Sequence, residues 1–151
     1  MRTLIGYLLV LTSSLLLAQS SPELRSRYGE PDRERFSPRS GIALTAEYGT
    51  DGLVCRVLVE PPRPLFGEQI ENSFMSSDAV TEVLEKLVPL TSRGDVIRSI
   101  LTKSGCNEIG TTDYLHVSIT RATHNCRPLK PEREMQAMVI FKRDACQDQH
   151  K

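Results

Sequence analysis

Alternation of apolar and polar positions is clearest over residues 42–59. Ile42, Leu44, Ala46 and Tyr48 alternate with Ala43, Thr45 and Glu47, and Leu53, Cys55, Val57 and Val59 keep the same period of two. Gly49-Thr50-Asp51-Gly52 separates the two runs, so the pattern predicts a β-hairpin over 41–60. The period changes after residue 76. Val80, Val83, Leu84, Leu87 and Val88 fall at i, i+3, i+4, i+7 and i+8, with Ser76 and Ser77 as caps, Asp78 near the positive end of the dipole and Pro89 as a stop. That stripe predicts an amphipathic helix whose apolar side packs on a neighbour. The last third is expected to be strands. Val96 to Lys103 is rich in β-formers, and Leu115, Val117 and Ile119 alternate with Tyr114, His116, Ser118 and Thr120. Met135 to Phe141 is an almost continuous apolar run, as in a central strand covered on both faces.

Two polar stretches separate these elements. In residues 21–40, Ser21 can cap a short helix from Pro22 to about Tyr28, which Gly29 ends and Pro31 keeps from continuing. The other stretch is a connector, 61–74, whose prolines at 61, 62 and 64 hold it extended. The expected fold class is therefore α+β: a short helix and β-hairpin, then a longer helix packed on an antiparallel sheet of about three strands. Residues 21–151 form a single small domain in this reading. It has a possible division into lobes 21–60 and 75–146.

The amino terminus adds a destination. Arg2 precedes an apolar stretch from Leu4 to Leu17, and Ala18-Gln19-Ser20 places small residues at −3 and −1 for cleavage after Ser20. Residues 1–20 thus have the layout of a secretory signal peptide. As a helix the apolar stretch spans only about 21 Å, short of a hydrocarbon core of about 30 Å. The expected location is secreted or periplasmic, with no stable membrane insertion once the leader is removed.

Cys55, Cys106, Cys126 and Cys146 all follow that leader. Four cysteines in an oxidising compartment imply two disulfides with three possible connectivities. If the last three strands are consecutive neighbours, Cys106 and Cys146 fall at one end of the sheet. The preferred pairing is then Cys106–Cys146 with Cys55–Cys126, the other two staying open.

Composition narrows the function classes. The 19 basic and 19 acidic residues of the 151-residue chain cancel, which removes the basic surface that nucleic-acid binding needs. Aromatic residues make up 5% of the chain and Trp is absent, so a stacking platform for bases or sugars is not expected. No C-x-x-C or H-E-x-x-H spacing supports a metal among His116, His124 and His150, and no nucleotide-binding glycine loop or G-x-S-x-G elbow is present. His124-Asn125-Cys126 could host a thiolate nucleophile, but adjacent residues on an extended chain point apart, and Cys126 is better read as half of a disulfide. Glu30, Asp32 and Glu34 alternate with Arg33 and Arg35 as a solvated charge cluster. Arg93-Gly94-Asp95 matches the integrin adhesion tripeptide, in a connection where Gly and Asp make a turn anyway. No N-x-[ST] sequon occurs. No catalytic, cofactor or metal residue is assigned, and no cofactor is expected.

Arg27-Tyr28-Gly29-Glu30-Pro31-Asp32, Gly41-Ile42-Ala43-Leu44-Thr45 and Tyr48-Gly49 resemble a family of small secreted bacterial proteins with no assigned activity. Ser104-Gly105-Cys106-Asn107-Glu108, His124-Asn125-Cys126 and Pro128-Leu129-Lys130-Pro131-Glu132 fit the same resemblance, which covers most of the chain after the leader. The short helix ending in Tyr-Gly-x-Pro before a hairpin is similar to the outer-membrane assembly lipoproteins of the SmpA/OmlA type. The two helix-plus-sheet units are similar to the β-lactamase inhibitor protein. Those groups act by binding other proteins, although this chain lacks the lipid-bearing cysteine of the first. The resemblance implies an exported, non-catalytic domain that binds a protein partner. Its candidate surface is the polar segment with Tyr28, Glu30, Asp32, Arg33, Arg35 and Arg39. The alternatives are a small secreted hydrolase or thiol enzyme, and an inhibitor of a secreted enzyme.

Overall fold

A computed structural model describes residues 25–27, 29–63, 74–125 and 133–146, in two units, residues 1–30 and 31–151. In the first unit, residues 25–27 are helical, and the Gly29 N–H closes the turn on the Arg25 carbonyl at 2.9 Å. Gly29 takes φ 87°, the left-handed conformation that ends many helices, so the expected stop is where the pattern put it. Residues 1–20, the expected signal peptide, lie outside the described residues, as does Tyr28.

The second unit is built on one antiparallel sheet. Its strands are β1 (Arg33–Arg39), β2 (Ile42–Tyr48), β3 (Val54–Glu60), β4 (Met75–Ser76), β5 (Val96–Ser104), β6 (Asn107–Tyr114), β7 (Val117–His124) and β8 (Arg133–Phe141). They lie in the order β1-β2-β3-β8-β7-β6-β5, with β4 also paired to β8. Helices α1 (Ser77–Leu87) and α2 (Leu90–Arg93) connect β4 to β5. Two meanders, β1-β2-β3 and β5-β6-β7-β8, are thus joined where β3 pairs with β8. The candidate lobes on either side of the Pro-rich connector share this sheet. Val59 lies opposite Ala137, and Met75 lies opposite Glu134 a little further along the same edge of β8. β3 and β4 are therefore two pieces of one interrupted strand, with residues 61–74 of the chain between them.

This architecture overturns the expected α+β arrangement with a three-strand sheet. The sheet has eight strands, and the longest described helix has 11 residues. Three strands escaped the pattern, namely β1, β6 and the two-residue β4. β1, with sequence RERFSPR, has one large apolar side chain. It pairs through its backbone and through cross-strand ion pairs, and Pro38 is tolerated because β1 is an edge strand with a register shift between Phe36 and Arg39. β6, with sequence NEIGTTDY, carries Gly and Thr where a core strand would carry Val or Ile. The expected strand around Leu115 instead turns at residues 115–116 before β7 begins.

The core lies between α1 and one face of the sheet. Ala46, Val57, Val139 and Ile119 form one cross-strand row on that face, and Leu44, Val59 and Ala137 form the next. Val80, Val83 and Leu84 of α1 pack against them. Each such aliphatic side chain contributes about 1.5–3 kcal/mol by leaving water. The other face is solvated: Glu47, Arg56, Ile140, Ser118, Asp113 and Arg98 follow one another across it. β8 is central, as expected, but covered on one face only, with Ala137 and Val139 buried while Gln136 and Ile140 are exposed.

Cys55 on β3 is bonded to Cys146 in the 3-10 turn Asp144–Cys146 after β8. The preferred partners, Cys126 for Cys55 and Cys106 for Cys146, are thereby corrected. The last turn brings Cys146 back to the β3 end of the sheet, whereas the meander places Cys106 at the β5–β6 hairpin. Cys106 is also disulfide-bonded, and Cys126 lies outside the described residues.

The turn before β5 depends on one glycine. Gly94 has φ 74° and ψ −171°, a region essentially reserved for glycine. A Cβ there would sit 2.7 Å from the Leu115 Cβ and 3.0 Å from the His116 ring. Gly94→Ala is expected to cost about 2 kcal/mol or more from backbone strain and crowding together. Urea unfolding measures this, and a change below about 0.5 kcal/mol, the range of ordinary surface substitutions, would contradict the crowding argument.

Candidate functional site

Helix α1 does not span the sheet it covers. Its 11 residues reach about 16 Å, whereas seven strands spaced about 4.8 Å apart spread across about 29 Å. Beyond the helix, β6 and β7 line a cavity of about 330 Å³. β6 contributes Glu108, Gly110, Thr112 and Tyr114, its alternate residues on one face, and β7 contributes Ile119, Arg121 and Thr123. Thr81, Leu84 and Glu85 close it from α1, with Arg93 from α2 and Glu134 from β8. A strand facing such a space is polar and small-sided, which explains why β6 shows no apolar alternation.

A buried ionic group forms one wall. The Glu134 side chain is fully buried. Its Oε1 accepts from Arg121 Nε at 2.7 Å, from Arg121 Nη2 and from the Ser77 hydroxyl at 3.0 Å. Arg121 Nη2 also donates to Ser77 Oγ at 3.0 Å. Ser77 is therefore no helix cap, because its hydroxyl is committed to the Glu134 group, and Ser76 makes no side-chain capping bond. Glu134 Oε2 is buried and accepts no hydrogen bond. On the opposite wall Arg93 donates to the Val88 carbonyl at 2.9 Å and to Glu85 at 2.6 Å, with its guanidinium 5.6 Å from the Tyr114 ring centre. Arg93 is thus folded into the molecule, and the Arg93-Gly94-Asp95 tripeptide is not displayed as an adhesion loop.

The segment singled out for interaction is divided between the two units. Tyr28 lies outside the described residues, and Glu30, in the first unit, pairs with Arg25 at 3.5 Å. The Asp32 carbonyl accepts the Tyr48 N–H at 3.0 Å. Arg33, Arg35 and Arg39 belong to β1 and pair with Glu47 at 3.0 Å, Glu60 at 3.7 Å and Glu82 at 2.7 Å. His124 stacks on Phe74 at 5.2 Å and its Nδ1 lies 2.7 Å from Asn107 Oδ1. His116 is in the β6–β7 turn, and His150 lies outside the described residues. No group of His, Cys, Asp and Glu suited to a metal occurs among the described residues.

The second feature is the open edge formed by β5. All nine of its residues are exposed. Val96, Ile97, Ile100 and Leu101 are 59%, 63%, 45% and 57% accessible, and Ile109 on the neighbouring strand is 48% accessible. Only Arg98 and Lys103 carry charge, paired in-house with Asp113 at 3.1 Å and Glu108 at 2.7 Å. The Ser118 hydroxyl, then Arg98, with Lys142 adding its charge, hold the Asp113 carboxyl below its ordinary value. A carboxyl lowered in this way favours the folded state above its unfolded pKa. The contribution fades as pH falls through the lowered value, so it is absent in strong acid. No family model, curated protein or solved structure matches the chain.

Proposed function

We propose that the protein is an exported, disulfide-stapled, non-catalytic domain that binds an extended segment of another protein along β5. The observation that carries this reading is the contrast between the two edges of the sheet. Edge strands normally carry charge, Pro or bulges against unwanted pairing. β1 has all three, with four charged residues, Pro38 and a register shift. β5 offers nine exposed residues, four of them large and apolar, and its register shift lies only at its start. An incoming strand gains main-chain hydrogen bonds along such an edge and apolar contacts at alternate positions. Export is supported by the amino-terminal segment 1–20 and by the Cys55–Cys146 bond, since stable disulfides belong to oxidising compartments.

The proposed occupant is a segment of another protein, and pairing of two β5 strands is the competing outcome that the test below reads. The expected ligand is an extended peptide with apolar residues at alternate positions and Asp or Glu near Arg98 and Lys103. Selection from a random displayed-peptide library, followed by hydrogen exchange, tests it. Selected peptides should slow amide exchange at residues 96–104, and Leu101→Lys should weaken them at least tenfold. Protection confined to β1, or dimerisation of the free protein through β5, would defeat the proposal.

A further inference from the structure

The hairpin that ends β5 fixes which of its backbone groups are free. Ser104 lies opposite Asn107 across the two-residue turn Gly105-Cys106, and Gly105 takes φ 57°, as the first turn residue of a type I′ or II′ hairpin does. The residues flanking such a turn exchange both backbone hydrogen bonds, and along an antiparallel pair bonded and unbonded positions then alternate. Back from Ser104, therefore, Thr102 and Ile100 bond to β6, whereas Lys103, Leu101 and Ser99 do not. The Ser99 and Thr112 hydroxyls lie 3.4 Å apart, which suits an unbonded pair, where side chains stand closer.

We infer, on the reading of β5 as the binding edge, that the partner enters as an antiparallel strand whose main chain bonds to Ser99, Leu101 and Lys103. Each of the three turns an N–H and a C=O away from β6, and all are exposed. Antiparallel entry continues the sheet, whose described strand pairs are all antiparallel, and it is the more stable pairing per residue. Ser99, Leu101 and Lys103 lie opposite Thr112, Gly110 and Glu108, which line the cavity, so the three side chains are on the α1 side of the sheet. Partner residues directly opposite them project to the same side. Leu101 is the large apolar residue of the three and is 57% accessible, so the partner residue facing it is apolar. Pro is excluded at that central position and at two residues to either side of it, because each of those N–H groups bonds to β5. It is tolerated at the positions between.

Residue-resolved amide exchange by NMR tests this on the full chain, alone and with the tightest peptide from the displayed library. In the free protein the Ser99, Leu101 and Lys103 amides should exchange fast and those of Ile100 and Thr102 slowly, and the peptide should slow the first three. The central peptide residue is the one whose truncation to Ala matters less in Leu101→Ala than in the wild type. N-methylation there should weaken binding about fivefold or more, and N-methylation of either neighbour should have little effect. A library that yields no peptide protecting residues 96–104 removes the binding edge and this inference with it. Sensitivity at the neighbours instead of the centre means parallel entry, and overturns the inference while leaving β5 as the edge. Slow exchange of the Ser99, Leu101 and Lys103 amides in the free protein would also overturn it, since the edge would already be occupied, by a second copy if the protection rises with concentration.

Discussion

Arg121→Met is expected to destabilise the protein by about 3 kcal/mol, because it strips the buried Glu134 carboxylate of its cation. Breaking one partner of a buried pair typically costs about 3–5 kcal/mol, and the lower end applies because the Arg121 side chain keeps 33% of its surface accessible. The loss also reaches the helix. Arg121 and Glu134 both hold Ser77, the first residue of α1, so the substitution loosens the point where the helix meets the sheet. The double variant Arg121→Met/Glu134→Leu should recover most of the loss, since an apolar pair carries no desolvation penalty. Chemical denaturation of both singles and the double gives the coupling energy. A cost below about 1 kcal/mol for Arg121→Met would show that the pair contributes no more than a surface ion pair does.

The second large effect is at the disulfide. Cys55 and Cys146 are 91 positions apart, and the bond clamps the seam where β3 meets β8. Cross-linking so long a loop restricts the unfolded chain, and removing it with Cys55→Ala/Cys146→Ala should cost about 4 kcal/mol. The bond at Cys106 already shortens the free unfolded chain, so a value somewhat below the simple loop estimate is consistent. Thermal unfolding of the double variant under oxidising conditions checks the loss. Peptide mapping of the unreduced wild type should give a linked fragment containing Cys55 and Cys146. A linked fragment joining Cys55 to Cys126 would contradict the seam.

Much of the core was legible and most of the polar architecture was not. The β2–β3 hairpin and the α1 stripe were readable because burial on one face forces a period of two or 3.6. Ile42, Leu44, Ala46, Cys55, Val57 and Val59 are buried as that period requires, as are Val80, Val83, Leu84 and Val88. β1 lacked the signal because its pairing rests on the backbone and on arginines reaching Glu47 and Glu60. β6 lacked it because one face lines the cavity and the other, with Ile109, is open to solvent. The cavity itself left a trace in hindsight. Glu134 sits one position before an apolar run and Arg121 follows an alternating one, and a charge at the inward phase of a strand marks a buried pair. Arg121 continues the inward phase of Leu115, Val117 and Ile119, but the alternation was followed only as far as Thr120. The disulfide was misassigned for a related reason: the return of the chain after β8 depends on a turn that no periodicity announces.

The interruption between β3 and β4 has an engineering consequence. Both pieces lie against the same edge of β8, so the pairing sets where the chain must leave and return but not how much chain lies between. Extra sequence after Arg63 costs only the slow logarithmic growth of loop closure, about 0.6 kcal/mol for each doubling of length. A fluorescent reporter, an affinity tag or a second domain could therefore be housed there with the eight-strand sheet intact. An insertion after Arg63 is expected to leave the pairing of β3 and β4 with β8 in place.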